Sequence, residues 1–170
     1  MKTRTNFVSN SSSSSFIVAF PKVPESAEEM QEILFGTAQD LENPDWDSKY
    51  NPSVDRSFPV SQVAQIVFDD IEAPLTEDNI FEEMRHTFDS GVKWEDHKKE
   101  DETYDFEAID KAEAGKAEEL LRPEVKEFIG SHKGATFLKF EYSDNDGALY
   151  SSMEHGDLFR RLPYLQISHH

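Results

Sequence analysis

Charge is distributed very unevenly along this 170-residue chain, and that unevenness constrains the fold more than any single motif does. Residues 1–24 hold three Lys/Arg and no acid, residues 130–170 hold four bases and five acids, and residues 25–129 hold 10 bases and 30 acids. The two ends together therefore carry +2 and the middle −20, which gives the net −18 of the whole. The nearly neutral ends show strand-type patterns and the acidic middle shows helical ones. The expected architecture is α+β: a small mixed or antiparallel sheet built from the N- and C-terminal segments, covered by an acidic, mostly helical middle region.

The pattern along the chain gives this outline its parts. A serine run, Ser9-Asn10-Ser11-Ser12-Ser13-Ser14-Ser15, leads into Phe16-Ile17-Val18-Ala19-Phe20 and Pro21. Five apolar residues without alternation predict a strand covered on both faces. Ser26 and Glu29 make a capping-box pattern ahead of Met30, Ile33 and Leu34, and Gly36 is a stop signal. Residues 37–58 read as a long loop with Trp46, Tyr50 and Phe58 as anchors. Val60, Val63, Ala64, Val67 and Ile71 form a helical stripe. Thr76 caps a further helix with Ile80, Phe81, Met84 and Phe88 on its buried face. Residues 93–104 are charged and read as loop, with Trp94, like Trp46, either an anchor or a partner contact, the anchor being the default. Phe106 to Leu121 predicts a helix that Pro123 interrupts and restarts.

Towards the end, Leu138, Phe140 and Tyr142 alternate with Lys139 and Glu141, the signature of a half-buried strand. Asp144-Asn145-Asp146-Gly147 is a turn signal, so residues 148–153 are expected to return as a second strand of a hairpin. Asp157 is expected to cap a short helix over 158–162, and Tyr164 to Ser168 form a last strand. The whole reads as one domain, with 1–24 and 130–170 as sheet-forming ends and 25–129 as an acidic helical insertion.

Composition excludes several classes of function. The chain has no Cys, so it has neither disulfides nor thiolate metal ligands. The Phe16–Phe20 run is too short for a signal sequence or a membrane span. A soluble, cytoplasmic protein without membrane contact is expected. Apolar residues make up only 36%, but 13 Phe, five Tyr and two Trp supply a feasible core. The negative charge argues against direct nucleic-acid binding, where phosphates require Lys and Arg, and suits a basic protein partner.

Three places carry chemistry worth testing. The first is a C-terminal polar set: Asp144, Asn145, Asp146, Glu154, His155, Asp157, His169 and His170. Imidazole and carboxylate together bind divalent metals in the absence of Cys and also serve as general acids and bases. From this set Asp144, Asp146, His155, His169 and His170 are the expected metal ligands, and His155 and His169 the expected catalytic residues. The competing reading is turn and cap chemistry plus a terminal His pair. The second place is the serine run, where Ser11, Ser12, Ser13 and Ser14 offer hydroxyl and backbone donors to a phosphate; it lacks the glycines of a phosphate loop and also reads as a linker or phosphorylation target. The third is the acidic body, which could occupy a basic host protein as a mimic of DNA. Residues 25–55, with nine acids and one Lys, are the best stretch for that. Enzyme and acidic interaction protein both remain open at this point.

The segment from Arg4 to Val18, containing Phe7-Val8-Ser9-Asn10-Ser11-Ser12-Ser13-Ser14-Ser15-Phe16, resembles the start of a group of uncharacterised proteins of tailed bacteriophages and some bacteria. The stretch from Tyr142-Ser143-Asp144-Asn145-Asp146-Gly147 through Met153-Glu154-His155-Gly156-Asp157 to Ile167-Ser168-His169-His170 is similar to the ending of some of them. The resemblance implies a phage or prophage origin, a bacterial cytoplasm, native terminal histidines and a common unit made of the two ends. It implies no activity.

Overall fold

The computed structural model describes residues 13–42, 57–155 and 157–169, with backbone alone at 41–42 and 168–169. The chain divides into two compact units, Met1–Pro74 with Thr136–His170, and Leu75–Ala135. The architecture is α+β, and strands from both ends of the chain share one antiparallel sheet.

In the first unit, β1 (Ser13–Phe20) is the central strand. It is followed by α1 (Ala27–Phe35), a two-stranded ribbon of β2 (Asp40–Glu42) and β3 (Ser57–Pro59), and α2 (Val60–Asp69). Ser26 caps α1 by accepting the Glu29 N–H. The Glu29 carboxylate, however, accepts from the Glu25 N–H rather than closing a reciprocal box on Ser26. Gly36 ends α1 at φ 58, and a Cβ there would collide with the Arg161 guanidinium, which donates to the Glu32 carbonyl.

The second unit contains α3 (Glu77–Arg85), a 3-10 turn over Trp94–His97 and α4 (Phe106–Ser131). Thr76 and Asn79 form a full capping box on α3. The expected break at Pro123 does not occur: α4 runs through it. Ala117, Leu121 and Val125 are buried at four-residue spacing, in phase across the proline, while Pro123 is on the exposed side. Burial of that stripe offsets the backbone hydrogen bond that proline cannot make.

The chain then returns to the sheet as β4 (Thr136–Ser143). The expected hairpin is not formed. Residues 144–146 make a 3-10 turn, Gly147 takes φ 104, and residues 148–155 form α5 (Ala148–His155) instead of a strand. Ala, Leu, Met and Glu favour helix, and Met153 and Glu154 are buried together only because the segment is helical. The short helix expected over 158–162 is also absent. Asp157 has φ 54, outside the extended region a capping residue occupies, and successive turns bury Leu158 and Phe159 instead. β5 (Tyr164–His169) completes the sheet in the order β4-β1-β5.

Why β1 sits in the middle follows from its sequence. Every residue from Ser14 to Phe20 is buried, as an unalternating apolar strand with a neighbour on each edge requires. Phe16, Val18 and Phe20 alternate onto the core face, where they meet Leu138, Phe140 and Tyr142 of β4, Met30 and Leu34 of α1, and Val63 and Val67 of α2. Phe16 and Phe159 join the aromatic contacts, Phe159 lying 5.3 Å from Phe16 and 5.1 Å from Phe140. Among the described residues no helix is long and apolar enough to cross a membrane.

Candidate metal centre

The register of the sheet determines what meets at one of its ends. Ser13 lies between Ser143 of β4 and His169 of β5. Ser14 is paired with Tyr142 and Ser168 and points to the core face with Phe16. A serine on that face is buried to 2% exposure and must find a hydrogen-bond partner. It finds one on α5: the Ser14 hydroxyl donates to Glu154 Oε1 at 3.1 Å. Gln166 Nε2 donates in turn to Ser14 Oγ at 3.2 Å.

Glu154 is 3% exposed, and its carboxylate is the centre of the site. Its second oxygen, Oε2, accepts the Asp144 backbone N–H at 2.9 Å and lies 3.5 Å from His155 Nε2. The bond to Asp144 exists because the 3-10 turn after β4 points its first amide at the C-terminal end of α5. Asp144 adds a third group. Its Oδ1 is buried and makes no hydrogen bond among the described residues, an unusual condition for a carboxylate oxygen.

Asp144, Glu154 and His155 each present one ligand atom, and these atoms lie within 4.8 Å of one another. Ligands of one ion with bonds of about 2.0–2.2 Å stand at most about 4.4 Å apart, so small rotations of the side chains bring all three onto one centre. The Gln166–Ser14–Glu154 chain holds the carboxylate in place, in the manner of the outer hydrogen bonds that orient metal ligands.

The structure thus brings together Asp144 and His155 from the expected ligand set and adds Glu154. Asp146 is exposed in the 3-10 turn and is outside the cluster. His169 has its backbone at the same end of the sheet, opposite Ser13. His170, Ser11 and Ser12 lie outside the described residues, as do Trp46, Tyr50 and Gly156. Ser13 and Ser14 are strand residues paired on both sides, not a loop with free amides; Ser14 serves the carboxylate rather than a phosphate. Glu154 stands in the C-terminal polar set but not among the expected ligands; the 3-10 turn at 144–146 and the helix over 148–155 bring it to the Asp144 N–H.

No protein-family model, curated protein or solved structure matches this chain.

Proposed function

We propose that the protein binds a divalent transition-metal ion, Zn²⁺ or Mn²⁺ by ligand type, at Asp144, Glu154 and His155. One imidazole with two carboxylates suits these ions, and the arrangement joins the turn after β4 to α5 and, through Ser14, to β1. The observation that carries the reading is the buried Asp144 Oδ1, which makes no hydrogen bond among the described residues, on a carboxylate with one oxygen within 4.8 Å of ligand atoms of Glu154 and His155. Such an oxygen is costly to leave unsatisfied, and a cation satisfies it.

Calorimetric titration and thermal melts with Zn²⁺ and Mn²⁺ test this. The expected result is one equivalent bound and a raised Tm, both lost in Asp144→Asn and in His155→Ala. An ion at a hundredfold excess over Kd stabilises by about 2.7 kcal/mol. Equal stabilisation of the wild type and both variants, or none in any of them, would overturn the assignment.

A further inference from the structure

The second unit presents three aromatic rings on a built platform. Trp94 is 47% exposed and Phe106 60%. Their ring centroids are 6.2 Å apart in an edge-to-face arrangement, and Tyr104 lies 6.0 Å from Trp94 and 6.4 Å from Phe106. The sequence leads one to expect Trp94 to anchor a loop inward. Instead the loop is fixed by its own backbone and carries the rings outward. Lys98 and Tyr104 form an antiparallel bridge. Lys99 N–H donates to the Thr103 carbonyl at 2.8 Å, and Asp105 N–H to the His97 carbonyl at 2.9 Å. The Trp94 indole N–H donates to Glu113 on α4 at 3.3 Å, which sets the plane of the ring.

We propose that this platform is a docking surface for a Lys- or Arg-bearing segment of another protein. Large aromatics held rigidly at the surface are the residues that dominate binding hot spots, and a preformed platform avoids the entropy of ordering it on contact. Charge selects the partner. Residues 93–113 hold nine acids against four lysines; Glu95, Asp96, Glu100, Asp101, Glu102 and Glu107 are exposed in the segment that carries the rings, and the Glu113 carboxylate lies against Trp94. Aromatic faces and carboxylates side by side suit a guanidinium or ammonium group. The platform already shows that preference within the chain, since Lys98 Nζ stands 5.5 Å from the Tyr104 ring centroid. This surface is independent of the metal centre and lies outside residues 25–55, the stretch that charge alone singled out.

The test is a titration of the full-length protein with a short peptide of alternating Arg and Gly, followed by two-dimensional amide NMR at physiological ionic strength. The largest shifts are expected at the Trp94 indole N–H and the amides of 94–106. Trp94→Ala with Phe106→Ala should weaken binding by about tenfold. Neutralising Glu25, Glu28 and Glu29 to Gln should change it by less than about twofold. Far-UV circular dichroism checks that the variants fold, and Trp94→Leu alone is the milder form of the same substitution. Undiminished binding by the aromatic variants would overturn the proposal, as would equal binding of a peptide with Gln in place of Arg. Concentration-dependent shifts at 94–106 without peptide would assign the surface to a second copy of the chain and likewise overturn it.

Discussion

The two units are stabilised in different ways. The sheet-bearing unit holds a continuous core in which Phe16, Phe140, Phe159 and Tyr164 touch ring to ring around β1. The helical unit relies more visibly on its surface. Arg122 binds Asp78 at 2.8 Å and Glu118 at 2.9 Å, and its guanidinium stacks 3.7 Å from the Phe81 ring centroid. Dispersion and burial act through many weak contacts and resist salt, while exposed ion pairs are screened by it. The difference teaches that one chain can combine a ring-packed sheet core with a helical unit in which an arginine, stacked on a buried phenylalanine, also ties two helices together.

This contrast can be broken deliberately. The largest effect should come from Phe159→Ala, which removes a fully buried ring packed on Phe16 and Phe140; a loss of about 3–5 kcal/mol in urea unfolding is expected. Glu154→Ala comes next. It strands the Ser14 hydroxyl and the Asp144 N–H, both deprived of a buried acceptor, and a cost of about 2–4 kcal/mol follows from about one to two per unsatisfied neutral group. Glu154→Gln should recover part of that stability while still impairing metal binding.

A matched pair of cap substitutions then compares the units directly. Ser26→Ala on α1 and Thr76→Ala on α3 each remove a side-chain acceptor of a first-turn N–H, and each should cost about 1 kcal/mol. Hydrogen exchange that reports the loss separately in each unit would sharpen the comparison; a loss spread evenly over both would show that they unfold together.

The smallest effect concerns pH. Arg122 holds the Glu118 carboxyl below its ordinary value of 4.5, chiefly through their hydrogen bond. A group with a depressed folded-state pKa contributes stability that is present above its unfolded pKa and is lost as pH falls through the folded one. The Tm deficit of Arg122→Ala should therefore be present at neutral pH and shrink as pH falls below 4.5. A deficit that stays constant down to strong acid would assign the role of Arg122 to its stacking on Phe81. In the other unit Lys22 likewise holds the Glu29 carboxyl below its ordinary value, chiefly through their hydrogen bond, so Lys22→Ala should show a pH dependence of the same sign.

The patterns that were legible in the sequence are those with one dominant local cause. The unbroken run at 16–20 could be satisfied only as a doubly covered strand, and the Val60 to Ile71 stripe only as an amphipathic helix. Residues 148–155 misled because Asn, Asp and Gly at 145–147 signal a hairpin, whereas the partner of β4 is the distant β1. The approach of Glu154 to the Asp144 N–H is made from that helix, and the residue pattern alone did not show it. Pro123 misled for the opposite reason: a local breaker was overruled by the stripe at Ala117, Leu121 and Val125. The exposure of Trp94 could not be read at all, because the same residue type in a charged loop serves equally to anchor it or to face outward.

The placement of β1 between β4 and β5 has a consequence for biosynthesis. In the order of translation, 115 residues (21–135) separate the end of β1 from the start of β4. At about 5–20 residues per second, β1 waits roughly 6–23 s for its first neighbour and longer for its second. An apolar strand with both edges open is an aggregation hazard during such a delay. Slowing elongation over 21–135 should therefore lower the soluble yield on expression, and faster delivery of β4 should raise it.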